Sequence, residues 1–363
     1  MKRILCLLMA LILCLGLLAG CAAPGEVLME LDGQKITANM YAFWLSRYKA
    51  FFVYSYMNNK ENLQMWDTVM GDEGKTVNEI FTGYVLDNAR TYAAALALYD
   101  EYKLALSAED KAKVKTDLEE LADAAGGKTV MNSELANFGV NYDMLGEIYT
   151  IEAKVAQLQE HLFAEGGPGA LTDVERDAYY NANYARIKHI FVSTTGKYMY
   201  DAEGNFTYDE NGDPIMADFT DAELKAQREK AADIVKKLEE GADFEELMTA
   251  HTEDTATLIY PNGYYFTQTS TYVDEIIDAA FSMEVGEWDY VQSDLGYHII
   301  KRLELAPKAY ASSLDADFFT DFEENVEMEA FTRILAPYVE RIEVNEDVAA
   351  NYSLKTVMAN YQY

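Results

Sequence analysis

Cysteine is almost absent from this chain. Only three occur in 363 residues, Cys6, Cys14 and Cys21, and all lie within the first 21 positions. The remainder can hold no disulfide, no thiolate zinc cluster and no thiol nucleophile, so its fold rests on its core. Histidine is nearly as scarce, with four residues and no short-range pair, which leaves a metal site with little support. Basic residues are outnumbered, 29 against 62 acids, for a formal net charge of −33. A field of that sign excludes nucleic acid as a partner and repels an anionic membrane surface. Cationic or unfolded polypeptides remain suitable partners. There is no G-x-S-x-G, no Walker loop and no H-E-x-x-H.

What is present is apolar and aromatic. Hydrophobic residues make up 50% and aromatics 13%, with 27 tyrosines against six prolines, so this is a folded chain rather than a disordered one. Its length suits two or three domains. The opening "MKRILCLLMALILCLGLLAGC" joins Lys2 and Arg3 to an apolar stretch that is short for a membrane span, the pattern of a secretory signal over residues 1–20. Its end, Leu18-Ala19-Gly20-Cys21, resembles the bacterial lipobox. The resemblance implies cleavage before Cys21, lipidation of that cysteine, and an extracytoplasmic protein anchored to the membrane through it. Residues 21–25 then form a tether. An ordinary signal peptide with an incidental cysteine is the alternative.

From residue 26 the texture is helical. "EVLMELDGQKI" reads as two strand pieces around an Asp32-Gly33 turn, and Thr37 caps a helix carrying Tyr41, Trp44, Tyr48, Phe51 and Phe52 at helical spacing. Such an aromatic stripe is core unless it faces a groove. Further helices are expected over about 75–103, 107–124, 142–164 and 171–183, the second opening on a capping-box-like Ser107-Ala-Glu-Asp110. At 185 the pattern changes. "ARIKHIFVST" and the closing pair "WDYVQSD" and "GYHIIKRLEL" are strand-like, with helices between them, which describes an α+β unit over 185–306. "KYMYDAEGNFTYDENGDPIM" within it reads as an inserted β-hairpin, about 196–216. Its "DENGDP" has glycine in fourth position where a calcium loop needs it sixth, so a turn is the better account. Residues 307–363 return to helix, ended by Pro337, and pack back on the 26–184 domain. The α+β unit is then an insertion.

Two of the four histidines have matching surroundings, His189 in "IKHIF" and His298 in "GYHII". Strand alternation puts Ile187 and His189 on one face, and the first and last strands of a small unit can be neighbours, so the imidazoles can meet. Two separately satisfied core histidines are the bland alternative. His161 and His251 receive no role.

The stretches "IKHIFV", "LEEGADFEELMTAHTEDTAT", "IDAAFSMEVGEWDYV" and "DLGYHIIKRLEL" resemble, in order, a parvulin-type peptidyl-prolyl isomerase domain over 185–304. With the lipobox and the flanking helices, the whole resembles a secreted foldase lipoprotein. "VLMELDGQKITANMYAF" is similar to the opening of that family's helical chaperone domain. The resemblance implies a small sheet flanked by helices, inserted between N- and C-terminal segments of a helical chaperone domain. It implies isomerisation of X–Pro bonds in unfolded or partly folded exported polypeptides, with no cofactor and no metal. It places the family's paired histidines on His189 and His298, its acidic position on Asp254 and its hydroxyl on Ser293. Phe266, Tyr272, Ile276 and Phe281 fall at the proline pocket. On residue pattern alone, Asp254 reads equally as a solvated loop acid.

The chain departs from the family in places. Where the family has a glycine-rich turn before its pocket, this chain has "YPNGYYFTQT"; where it has methionine and phenylalanine, this chain has Tyr272 and Ile276. Between 193 and 220 Lys197 is the single base, which argues against phosphoserine preference. Two readings follow, an active isomerase and chaperone, or a non-catalytic holdase built on a degenerate parvulin domain. Whether the chain forms a homodimer is left open.

Overall fold

The computed structural model describes residues 25–363 apart from Asp72, Tyr200 and Asp213. The leader and Cys21 lie outside the described residues. The described chain divides into two compact units, one of residues 25–170 with 327–363 and one of Leu171–Val326.

The first unit is helical with a small three-stranded sheet and a two-residue ribbon. Strands β1 (Val27–Leu31) and β2 (Gln34–Thr37) form the expected hairpin, and β11 (Glu343–Val344) pairs with the other edge of β1. Helix α1 (Ala38–Tyr56) starts where the Thr37 hydroxyl accepts the Met40 N–H. Thr76 and Glu79 cap each other at the start of α2 (Val77–Glu101), which follows a two-residue ribbon of β3 (Val69–Met70) and β4 (Lys75–Thr76). Ser107 and Asp110 do the same for α3 (Ala108–Ala124). A short helix the sequence analysis did not anticipate, α4 (Lys128–Leu135), precedes α5 (Tyr142–Phe163). The aromatic stripe of α1 is split. Tyr41, Phe43, Trp44 and Phe52 are core, whereas Phe51, Tyr54 and Tyr56 are 55%, 66% and 61% exposed.

The seam of α5 closes on two clusters. Leu145, Ile148 and Ile151 pack with α1 and α2, and Val155, Leu158 and Leu162 pack with Ala94, Leu98, Phe331 and Leu335. Phe331 and Leu335 belong to α10 (Phe322–Val339), whose first turn lies in the second unit and whose remainder lies in the first. Pro337 falls in the last turn of α10, which runs two residues past it to end at Val339, at the start of "YVERIEV". The proline forfeits one backbone hydrogen bond, and doing so in the last turn interrupts little of the ladder. After α11 (Glu346–Ala349) the chain end is tied down by Leu354, which is fully buried, and by the Lys49 ammonium on the Val357 carbonyl at 2.9 Å.

The second unit holds an antiparallel sheet in the order β8-β5-β10-β9, formed by β5 (Ala185–Ser193), β8 (Tyr264–Phe266), β9 (Trp288–Ser293) and β10 (Gly296–Leu303). The first and last main strands are central neighbours. Residues Ile190, Val192, Tyr297 and Ile299 face α7 (Asp221–Glu239) and α8 (Phe244–His251); Ile187, Tyr264, Phe266 and Ile300 face α9 (Asp274–Ser282). The inserted hairpin is present, closed at its base by β6 (Lys197–Tyr198) against β7 (Met216–Ala217). The unit extends past 185–306 at both ends. Tyr180 and Tyr184, at and just beyond the end of α6 (Asp173–Asn183), pack with Tyr265, Phe319 and Phe322 as a separate aromatic cluster.

Candidate active site

Register alone decides how the histidines meet. His189 lies opposite Ile300 and His298 lies opposite Phe191, so the two imidazoles are diagonal neighbours on one face of the sheet. His189 Nε2 stands 2.9 Å from His298 Nδ1, and the rings lie 5.0 Å apart, 28° from parallel. Both residues are buried, at 3% and 2% exposure. Phe191, directly opposite on β5, stacks against His298 at 5.1 Å and lies 5.9 Å from the His189 ring.

Each end of this pair finds a polar partner. The Asp254 Oδ2 atom is 3.4 Å from His189 Nδ1, and Ser293 Oγ is 2.7 Å from His298 Nε2. The Tyr264 hydroxyl donates to the same Asp254 oxygen at 2.5 Å. Asp254 Oδ1 accepts the Ala256 N–H at 2.9 Å, capping the short turn Thr255–Leu258. The Asp254 loop is also stitched to β5, with the Thr252 hydroxyl accepting the Phe191 N–H at 3.1 Å and the Glu253 N–H donating to the Phe191 carbonyl at 2.8 Å.

Electrostatics give the chain of hydrogen bonds a direction. Burial pushes the Asp254 carboxyl up, but the His189 and Tyr264 donors together outweigh it, and the group sits below the usual carboxylate range. Burial, then the neighbouring His189, push His298 down to about 4, against a smaller upward pull from Asp254. Burial and the adjacent Asp254 charge push the Tyr264 phenol far up, so it stays a donor. With His298 neutral, one order satisfies every atom. Ser293 donates to His298 Nε2, His298 Nδ1–H to His189 Nε2, and His189 Nδ1–H to the carboxylate.

The four residues expected to act together, His189, Asp254, His298 and Ser293, are therefore contiguous. Phe266 and Tyr272 also meet, ring centroids 4.9 Å apart, and burial with the Asp254 charge raises the Tyr272 phenol, which places that ring within the carboxylate's field. Ile276 is fully buried in the cluster that holds Phe266, so it supports that ring from the core rather than presenting a surface of its own. Phe281 is half-buried at the end of α9, with the Arg302 guanidinium 5.8 Å from its ring centre. Sequence reasoning missed Tyr264 and Phe191. A tyrosine or phenylalanine in a strand reads as core, and only the Ile187–Tyr264 register brings that hydroxyl to Asp254.

A separate cavity of about 940 Å³ adjoins the site and is bounded by Phe191, Asp254, Met248 and the hairpin base. Among the described residues no cluster of three or more histidine, cysteine or acidic side chains has metal-holding geometry.

Comparison with known proteins bears on the same stretch. Residues 174–305 match the PPIC-type PPIASE domain family. Foldase protein PrsA of Oceanobacillus iheyensis is 31% identical over 126 residues, covering 34% of this chain and 40% of that protein. The protein of that name from Halalkalibacterium halodurans is 31% identical over 110 residues, covering 30% and 33%. The matches thus span less than half the length of these relatives. A crystal structure of PrsA from Bacillus subtilis covers 79% of this chain and 91% of its own, at 19% identity and a TM-score of 0.25. On the family match, with both histidine strands and the Asp254 loop inside it, the chain carries a parvulin-type, PPIC-class peptidyl-prolyl isomerase domain in residues 174–305.

Proposed function

We propose that the chain is an extracytoplasmic, membrane-tethered peptidyl-prolyl cis/trans isomerase and chaperone that assists folding of exported polypeptides. The observation that carries the reading is the unbroken chain Ser293–His298–His189–Asp254, with Tyr264 on the carboxylate, beside the aromatic pair Phe266 and Tyr272. Rotation about an X–Pro bond meets a barrier of about 18–20 kcal/mol because the C–N bond is partly double. No bond is cleaved. The site has to hold the prolyl ring and favour the twisted amide over the planar one. The aromatic pair offers an apolar seat for the ring. The hydrogen-bonded chain holds fixed dipoles against the rotating amide, which loses resonance and gains polarity as it twists. Proton transfer is not required, since the imidazoles serve to lock one another's tautomers.

The tether rests on the leader and on lipidation of Cys21, both outside the described residues. Among the described residues no helix is long and apolar enough to cross a membrane. Partners in this reading are unfolded or partly folded polypeptides bearing X–Pro bonds. A second reading, a non-catalytic holdase, is favoured by one observation, the exposed aromatics Phe51, Tyr54 and Tyr56 on α1.

The test is isomerisation of X–Pro tetrapeptides by residues 25–363, with Asp254→Ala and His298→Ala alongside and their folding checked by circular dichroism. The isomerase reading expects rates well above the uncatalysed tens of seconds, lost in Asp254→Ala. No acceleration for any X residue, together with suppression of a client's aggregation, would leave the holdase reading.

A further inference from the structure

The cleft between α3 and α5 in the helical unit is used by nothing described so far. It encloses about 610 Å³ over an apolar floor of Met40, Leu118 and Ile151. Its walls carry Lys111 and Lys115 from α3, Lys128 from α4 and Lys154 from α5. The lining acids are Glu119, Asp143 and Glu147. Four bases to three acids reverses the balance of a chain with 29 bases and 62 acids.

Most of these bases have no acid to hold. Lys115 pairs with Glu119 at 3.7 Å, but Lys111, Lys128 and Lys154 are in no ion pair among the described residues. Two of them lie against rings instead. The Lys128 ammonium is 3.9 Å from the centre of Tyr142, and the Lys154 ammonium is 5.5 Å from that of Tyr99. Asp143 lies in the first turn of α5, where the helix amides already favour a negative charge. Three uncommitted lysines therefore outnumber the remaining acid, Glu147.

The cleft also stands where the tether enters the fold. A Cβ on Gly25 would strike Asn39, and the Glu26 carbonyl accepts the Ala38 N–H at 2.9 Å, so the chain is seated on the first turn of α1. Met40, in that turn, belongs to the cleft floor. The Asn39 amide donates in turn to the Gly139 carbonyl, just before Asn141 caps α5. Cys21 precedes Gly25 by four residues, which span at most about 14 Å. A lipid on Cys21 would hold the lysine-lined end of the unit within that reach of the leaflet. Exposed charges are largely screened beyond about 8 Å at physiological salt, so the local sign decides contact there and the net charge does not.

We propose that this cleft binds the phosphate of anionic phospholipid headgroups in the leaflet that carries Cys21, orienting the helical unit on the membrane. Lys111, Lys128 and Lys154 are its binding residues. Ammonium groups meet phosphate as point charges, so the cleft selects charge rather than headgroup shape. The proposal rests on the tethered reading, and it reverses locally the repulsion that the net charge sets for the body.

Cys21 is the sole cysteine after the leader, so residues 21–363 coupled through it to a maleimide lipid reproduce the tethered chain. The coupled protein is placed on vesicles of phosphatidylcholine, alone or mixed equally with phosphatidylglycerol. Its lysines are then footprinted with an amine-reactive reagent and read by mass spectrometry. Lys111, Lys115 and Lys128 should react about fivefold more slowly on the anionic vesicles, the factor one lysine gains near such a surface. Lys113 should not change, since it lines a different groove of α3 and pairs with Asp117 at 2.7 Å. Lys128→Gln with Lys154→Gln should return Lys111 to its rate on neutral vesicles and leave Lys113 unchanged, which unfolding would not allow.

Equal rates on both vesicles, or equal slowing of Lys113, overturn the headgroup site. The same slowing by soluble glycerol phosphate at matched phosphate concentration makes the ligand a free phosphate and overturns the membrane assignment. The tether is tested apart, by the mass of the N-terminal peptide after expression of the full chain in a lipoprotein-processing bacterium. Lipid on Cys21 without slowing overturns the site and keeps the tether. Slowing on anionic vesicles with no lipid found on Cys21 overturns the tether and keeps the cleft as a headgroup site.

Discussion

Acidification offers the sharpest test of the site's electrostatics, because His298 is buried with the Phe191 ring and a second imidazole packed against it. Its pKa falls from 6.5 to about 4, chiefly through burial and next through His189, with Asp254 opposing. That displacement corresponds to about 3 kcal/mol disfavouring the folded state with His298 charged. The direction follows from proton counting. Between pH 6.5 and about 4 the unfolded chain binds the His298 proton and the folded one does not, so His298 makes stability rise with pH across that window. The contribution is fully present above pH 6.5, is lost progressively on acidification, and changes no further below about 4. The measurement is a pH titration of ¹³C-imidazole-labelled residues 25–363, in which four histidines give four assignable signals, His298→Asn supplying the assignment. His298 should titrate near 4, and ¹⁵N shifts should report Nδ1 as its protonated nitrogen at neutral pH. A His298 midpoint at or above 6.5, or protonation on Nε2, would refute the donor order derived for the site.

Other perturbations follow from the same contacts. Tyr264→Phe removes one of the two side-chain donors that keep the Asp254 carboxyl low, so that carboxyl should titrate higher by ¹³C NMR and urea unfolding should lose about 1.5–3 kcal/mol. Gly263 has φ +94°, and a Cβ there would run into the Ile187 carbonyl; Gly263→Ala should cost more than about 1 kcal/mol in urea unfolding and loosen β8 in hydrogen exchange. In the first unit Lys49 is 3% exposed, bonded to the Val357 carbonyl and 2.7 Å from Glu61. Lys49→Met should cost about 1–3 kcal/mol and expose the segment after Ala350 to proteolysis, and unchanged cleavage there would refute its role as the clasp of the chain end.

Much of this fold is legible where a local rule is also the global answer. Thr76 and Ser107 begin helices because each side chain and its third neighbour satisfy orphan amides at once, whatever surrounds them. The strands holding His189 and His298 are legible because alternation fixes which residues share a face. What alternation leaves undetermined is register, and the site depends on it. A shift of one residue would carry His298 to the α7 and α8 face and leave His189 without a partner. Gly296 helps hold that register, since with φ +152° a Cβ there would strike the Val192 carbonyl on the neighbouring strand. Tyr264 was illegible for the same reason. "YPNGYYFTQT" lacks the family's glycine-rich turn, and the residue in it that reaches the site is the tyrosine placed opposite Ile187. The aromatic stripe of α1 marks another limit, because helical spacing predicts one apolar face and cannot say where along the helix the neighbours stop. Phe52, Val53 and Met57 stay in the core, and Phe51, Tyr54 and Tyr56 among them are left to solvent. Exposed rings at the end of a helix whose other aromatics are core come at a cost in solubility that packing within this unit does not explain.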